Sequence, residues 1–177
     1  MNQNNIFNSL MNSSGYITDN GWFLPSLDEL NFMYDNLYSE GVGGFTSEYY
    51  WSSTEYSAIR AYRVYFPTGV PANSVKESSY AVRACRSFIA IADSYSLGSE
   101  GLSGGLIFTW VNNENGTYTY YEAAISDQSS GIGWSNIIDA EVTNTSLVIG
   151  EGLNNTIKII DQIGHTTSAA KLCYDLN

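Results

Sequence analysis

Positive charge is scarce in this sequence, and its scarcity argues against one class of function. The 177 residues contain seven Lys and Arg against 18 Asp and Glu, for a formal net charge of −11. So acidic a surface repels a phosphate backbone, which argues against sequence-independent binding of nucleic acid. No basic residue precedes Arg60, so residues 1–10 lack the start of a secretory signal. We therefore expect a chain that is already processed, secreted by another route or delivered in an assembly such as a virion.

Long apolar runs and the residues of common catalytic sites are also scarce. No run of 18 apolar residues occurs, so no segment is predicted to span a membrane. The one histidine, His165, follows Gly164 in a predicted helix break, where we expect an exposed or capping role. There is no Gly-x-Ser-x-Gly elbow, no phosphate-binding glycine loop and no His/Cys cluster with metal-ligand spacing. The sequence therefore predicts no catalytic residue and no enzymatic activity.

Aromatic residues are abundant instead. They make up 14% of the chain, the same share as the charged residues, and include 14 Tyr and 4 Trp. This content excludes a disordered chain, and the length suits one domain with its own core. The four tryptophans are predicted to belong to that core: Trp22, Trp51, Trp110 and Trp134.

The clearest local pattern is a helix with a capping box. Ser26 and, three residues later, Glu29 can satisfy each other's backbone N–H groups at a helix N-terminus. Apolar residues then recur at helical spacing up to Leu37. The pattern predicts a helix over residues 27–38 that ends before Gly41.

Strand patterns follow this helix. Residues 49–53 are aromatic and strand-prone, residues 60–66 alternate imperfectly before a turn at 67–69, and residues 80–88 alternate cleanly. Residues 90–103 are predicted to be a linker. Beyond it we predict a hairpin around Asn115-Gly116, a short strand and two helices, over residues 106–125, 147–149, 154–163 and 168–176. The predicted class is α+β.

Motifs in both halves of the chain resemble the Lcl C-terminal domain-like family. In the first half these are GWFLPSLDEL (Gly21–Leu30), YWSSTEY (Tyr50–Tyr56) and YAVRACR (Tyr80–Arg86). In the second half they include GGLIF (Gly104–Phe108) and AAKLC (Ala169–Cys173). The resemblance implies a C-type-lectin-like fold, with two main helices flanking small antiparallel β-sheets.

The two halves stand in the reverse of the family's order. Residues 15–89 resemble the second half of the family domain and residues 104–177 the first, with 90–103 as the linker and 1–14 as an N-terminal arm. Three explanations remain open: a circular permutation within one chain, an exchange of halves between subunits, and a piece of a tandem array cut out of register. Exchange would make the protein a homo-oligomer or tie it to neighbouring subunits of an assembly.

The resemblance also gives meaning to the two cysteines. Lectin-like domains commonly join the elements that carry Cys85 and Cys173, so the resemblance implies a disulfide between them; two buried thiols are the alternative. Residues 83–86 are similar to part of the formylglycine-generating enzymes, a remote alternative because those enzymes need two neighbouring active cysteines. No cofactor is predicted. Calcium remains an alternative, because residues 112–115 and 127–128 offer oxygen ligands, although their turn contexts explain them without metal.

A basic, tyrosine-rich stretch is the best candidate for ligand contact. Five of the seven basic residues lie within residues 60–86, with one acid, so the local charge is 5 − 1 = +4. Tyr and Arg make rigid, amphipathic contact surfaces. The candidate ligand-binding residues are Tyr56, Arg60, Tyr62, Arg63, Tyr65 and Tyr80. In the alternative these residues solvate a sheet face, and Arg83 or Arg86 pairs with Asp28, Glu29 or Glu55.

These observations together predict a non-enzymatic recognition module, extracellular or carried on a virion. Its partner would be a glycan or a protein on a cell or particle surface, with no nucleic acid and no membrane insertion. In the alternative the chain is a structural or decoration subunit, and its exchanged halves build an assembly.

Overall fold

The computed structural model describes residues 21–176; the predicted N-terminal arm, 1–14, lies outside them. The described residues contain three helices, α1 (Leu27–Met33), α2 (Gly152–Ile160) and α3 (Ala169–Tyr174), and α1 continues into a π-helical turn, Tyr34–Tyr38. The strands are β1 (Tyr49–Ser57), β2 (Arg60–Tyr65), β3 (Val70–Val75), β4 (Tyr80–Val82), β5 (Cys85–Ile91), β6 (Leu106–Asn112), β7 (Thr117–Ala123) and β8 (Ser129–Ile132). The α+β class is confirmed.

The strands form two small sheets. One has the order β3-β2-β1-β4-β8 and the other the order β5-β7-β6. All pairs are antiparallel except β1 and β4, which run parallel. The prediction of purely antiparallel sheets is therefore wrong at that pair. Among the described helices, none has the length and apolar content needed to cross a bilayer.

The sequence predictions hold where the signal is local. The Ser26–Glu29 capping box is present, and helical structure runs from Leu27 to Tyr38. The hairpin around Asn115-Gly116 forms with β6 and β7 as its strands. The predicted strand at 147–149 is wrong: this segment is a bend and turn, and its Leu147 carbonyl accepts the Asp28 N–H at 3.0 Å.

The predicted strand 80–88 is divided between the two sheets. β4 ends at Val82 and pairs with β1 and β8, while β5 begins at Cys85 and pairs with β7. Arg83 lies at the break, fully buried and ion-paired to Asp127. An alternating pattern marks residue faces but not a change of partner strand, so the sequence showed one strand where there are two.

Both halves of the chain contribute to one core. A single buried cluster contains residues from each half, among them Trp51, Ala61, Val82, Trp134, Ile159 and Cys173. Polar contacts also join the halves. The Leu24 N–H donates to Thr156 Oγ1 at 3.0 Å, and the Trp134 indole donates to the Ser52 carbonyl at 2.7 Å. Residues from both halves therefore pack against each other in the described part of the chain.

Glu29 is another fully buried connection between the halves. Its carboxylate accepts the Ser26 N–H at 2.7 Å, within the capping box, and the Gly150 N–H at 2.8 Å, just before α2. A side chain at Gly152 would collide with the same carboxylate, so glycine is required there. Burial outweighs these hydrogen bonds and raises the pKa of Glu29 to about 7.

The segment between the halves is ordered and packs on the three-stranded sheet. The Gly98 N–H donates to the Ile107 carbonyl at 2.8 Å, and the Ile107 N–H donates to Ser99 at 2.9 Å. The ring of Tyr95 contacts Phe88 and Tyr120, with centroids 5.2 and 5.1 Å away. The linker is thus a cap on a small aromatic cluster rather than a free tether.

Candidate functional site

The basic stretch of residues 60–86 is not a basic surface. Lys76 is buried and donates to Glu55 at 2.6 Å, and Arg83 is buried against Asp127 at 2.7 Å. Arg86 is also buried, and its Nε lies 3.7 Å from Glu122. The acidic partners lie in β1, in β7 and in the loop after β7. A sum of charges over residues 60–86 alone therefore does not include them. Among the residues that the structure describes, Arg60 and Arg63 of this stretch have no acidic partner.

The six candidate residues lie on two faces of the five-stranded sheet. Side chains alternate along β2, so Arg63 and Tyr65 lie on one face of the sheet while Arg60 and Tyr62 lie on the other. Tyr62 packs on the core cluster that contains Val64, which confirms the second face. The set proposed from sequence is therefore two clusters, which we describe separately.

We call the first cluster the tyrosine–arginine platform; it consists of Tyr49, Arg63, Tyr65 and Tyr80. The Arg63 guanidinium carbon lies 3.6 Å from the ring centroid of Tyr49 and 4.8 Å from that of Tyr80. The Tyr49 centroid is 4.4 Å from that of Tyr65 and 5.3 Å from that of Tyr80. All four residues are partly exposed. Two rings thus hold the Arg63 cation, and the third ring, Tyr65, packs against Tyr49.

Arg63 is exceptional among the basic residues. Counting partners within residues 21–176, four of the seven are ion-paired, and two, Arg60 and Lys158, donate to amide or backbone oxygens. Arg63 has no hydrogen-bond partner among the described residues, and its Nε and Nη1 are buried without one. Unpaired buried donors reduce stability, and stacking on two rings offsets part of that loss. The arrangement leaves a preorganised cation whose Nη2 has no hydrogen-bond partner in the described part of the chain.

Tyr49 was missed by the sequence prediction. It lies directly opposite Tyr65 in the register between β1 and β2, two residues before the buried Trp51. Cross-strand neighbours on one face stand close enough for their rings to touch. The signal in the sequence was that Tyr49 and Trp51, two residues apart on one strand, share a face of the sheet. This signal becomes useful only once the register between β1 and β2 is known.

The second cluster, on the opposite face, consists of Tyr56, Arg60 and Tyr62. The Tyr56 and Tyr62 rings meet edge to face at 5.3 Å, and Tyr56 is 54% exposed. Arg60 donates to Asn73 Oδ1 at 2.9 Å, on the neighbouring strand. Its polar groups are thus partnered within the sheet, and the cluster holds no free cation.

The two cysteines are buried thiols in the structure, and the implied Cys85–Cys173 disulfide is not present. Burial raises the pKa of both thiols well above the usual range, with the charges of Glu29 and Cys173 adding to the effect at Cys85. Both are protonated at neutral pH and have little nucleophilic character.

The described residues also show how His165 is used. Its Nε2 lies 2.9 Å from the hydroxyl of Ser168, whose oxygen caps α3 by accepting the Lys171 N–H at 2.8 Å. Burial, together with the charge of Lys171, lowers the pKa of His165. Within residues 21–176, no three His, Cys, Asp or Glu side chains are grouped to hold a metal ion.

Comparisons of this chain with protein-family models, with curated proteins and with solved structures find no match. Its function is therefore argued from the geometry of its own side chains.

Proposed function

We propose that this chain is a non-enzymatic recognition module that binds a surface glycan through the tyrosine–arginine platform. The observation that carries the proposal is Arg63, a cation with no hydrogen-bond partner within residues 21–176, held between the rings of Tyr49 and Tyr80. Ring faces stack on the apolar faces of sugars, and a free guanidinium donates to hydroxyl or acidic groups. Tyr and Arg also dominate recognition hot spots in general.

We further propose that the fold is lectin-like, with its halves in permuted order within one chain. Two observations support this. Both halves build the same core. The two ends of the described chain also come together, because Trp22 and Leu176 line one surface depression of about 310 Å³. A domain whose chain ends lie close together tolerates circular permutation.

The proposed setting is outside the cell or on a virion, as a homo-oligomer or beside neighbouring subunits of an assembly. The high negative charge supports a surface role, because it keeps a protein soluble and limits nonspecific adsorption to nucleic acid. In this setting a glycan or a protein on a cell surface is the natural partner.

Two arginines on opposite faces of β2 provide a matched test. Arg63→Ala removes the unpartnered cation of the platform, whereas Arg60→Ala removes one exposed positive charge from the other face. On a glycan array and in cell adhesion, we expect Arg63→Ala to weaken binding at least tenfold, and Arg60→Ala to change it less than twofold. Circular dichroism of both variants checks that the fold is retained.

Three results would contradict the proposal. The wild type binds no glycan on the array and adheres to no cell, or the two variants weaken binding equally, or Arg63→Ala binds as the wild type does. If instead wild-type adhesion depends on Arg63 but is abolished by protease treatment of the cells, the platform recognises a protein rather than a glycan.

A further inference from the structure

Trp110 differs from the other three tryptophans. Trp51 and Trp134 are fully buried and donate their indole N–H groups to the carbonyls of Ile132 and Ser52. Trp22 is 9% exposed and lies beneath the Arg86 guanidinium. Trp110 is 38% exposed, so its prediction as a core residue is wrong. Within the described part of the chain its indole N–H has no hydrogen-bond partner. An exposed tryptophan with a free N–H is typical of recognition surfaces.

Trp110 belongs to a ring surface on the three-stranded sheet. Its ring is parallel to that of Tyr118, at an interplanar angle of 1° and a centroid distance of 6.5 Å. Tyr120 lies beneath the pair, 6.2 Å from Trp110 and 5.9 Å from Tyr118. The linker ring, Tyr95, contacts Tyr120 from the linker side. Beside this contact Trp110 is exposed and Tyr118 is partly exposed.

Polar groups at the β6–β7 turn border this pair and are held rigidly. Asn112 lies opposite Tyr118 in the register, and its Oδ1 accepts the Glu114 N–H at 2.8 Å. Asn113 bridges Thr117 and Thr119 through its side chain, at 3.0 and 3.1 Å. The carboxamide NH₂ of Asn112 has no partner among the described residues. This amide donor therefore stands beside one exposed ring, Trp110, and one partly exposed ring, Tyr118, on a turn whose own hydrogen bonds fix its shape.

The charge and size of this surface select the ligand class. Between residues 106 and 123 the charged residues are Glu114, in the turn, and Glu122, which is buried, so no cation is present to attract an anion. A protein partner would need about 800 Å² of contact surface, far more than two rings supply. A pyranose has an apolar C–H face for the rings and a hydroxyl rim for the amide and indole donors.

We propose that Trp110, Tyr118 and Asn112 form a binding site for a neutral saccharide. This site lies on the three-stranded sheet, whereas the tyrosine–arginine platform lies on the five-stranded sheet, so neither depends on the other. A chain with both sites engages two points of one polysaccharide. Such bivalence raises avidity without any new contact, provided the ligand spans both sites.

The test uses soluble neutral oligosaccharides of two to four units, built from glucose, galactose, mannose or N-acetylglucosamine. Trp110 is the most exposed tryptophan, so bound sugar should shield it from acrylamide quenching of fluorescence. We expect at least one oligosaccharide to give saturable protection in the wild type. Trp110→Ala should abolish binding measured by calorimetry, Asn112→Ala should weaken it about tenfold, and Arg63→Ala should leave it unchanged.

Circular dichroism checks that the variants are folded. Trp110→Phe is a second control, because its phenyl ring keeps the sheet face aromatic and should retain part of the binding. The proposal is overturned if no oligosaccharide in the panel protects tryptophan fluorescence at 10 mM (about −2.7 kcal/mol of affinity at that limit). It is equally overturned if Trp110→Ala binds like the wild type, or if Trp110→Ala converts a wild-type dimer into a monomer, which would make this surface a contact between copies. If Arg63→Ala loses binding while Trp110→Ala and Asn112→Ala retain it, the sugar binds to the tyrosine–arginine platform instead.

Discussion

Arg83→Ala is expected to lower the free energy of unfolding by about 3–5 kcal/mol. The Arg83 side chain is fully buried, and its Nε and Nη2 both lie 2.7 Å from the same oxygen of Asp127. Nη1 also donates to the carbonyls of Gly43 and Ala124, at 2.7 and 2.8 Å. Truncation leaves these carbonyl groups without donors. It also leaves the Asp127 carboxylate, which is only 15% exposed, without its ion-pair partner. Urea unfolding followed by circular dichroism measures the loss.

The Lys171–Asp175 pair is the matched control for Arg83. It is an ion pair of similar length, 2.7 Å, between side chains that are 42% and 53% exposed. Solvent screening leaves such a pair worth about 0.3–0.5 kcal/mol, so Lys171→Ala should change stability little. Equal losses in Arg83→Ala and Lys171→Ala would contradict the structural role assigned to Arg83, as would a fully stable Arg83→Ala protein.

Stability is expected to fall as pH rises from 5 to 8, and Glu29 is the largest single cause. The fold raises the pKa of Glu29 from 4.5 to about 7, chiefly by burial. Between these values the folded chain holds a proton that the unfolded chain has released. The free energy of unfolding therefore decreases as pH rises through the window, by about 3 kcal/mol in all.

Glu29→Gln isolates this contribution, because an amide does not titrate. The variant should have a flatter profile of unfolding free energy between pH 5 and 8 than the wild type. Glu122, whose pKa burial also raises, retains its own slope of the same sign in both proteins. Cys85 and Tyr121, which face Glu29, have raised pKa values and titrate above this window. Identical profiles for wild type and variant would show that Glu29 is charged in the fold throughout.

Local features of the fold were predictable from sequence because nearby residues determine them. The Ser26–Glu29 capping box needs only three residues of separation, and the Asn115-Gly116 turn fixes its own hairpin. Long-range partners were not predictable in the same way. Glu55 pairs with Lys76 and Asp127 with Arg83, so a stretch that is basic in sequence is neutralised in space.

The candidate site was predicted in part, for a similar reason. Tyr65, Arg63 and Tyr80 were predicted as one group, and the structure places all three beside Tyr49. Tyr56 and Tyr62 were placed with them, although strand parity puts them on the other face. Trp110 was assigned to the core because composition does not reveal that its ring is exposed on the three-stranded sheet.

The central claim is that one chain holds both halves of a single closed domain in permuted order. A re-ordered chain tests it most directly: residue 177 is joined to residue 14 by a short Gly/Ser linker, and new ends are opened between the exposed residues Ser96 and Leu97. Its urea unfolding curve, followed by near-ultraviolet circular dichroism at a concentration where the chain is monomeric, is compared with that of the original order. We predict one cooperative transition from the same folded spectrum. A re-ordered chain that has no folded spectrum as a monomer would contradict the claim.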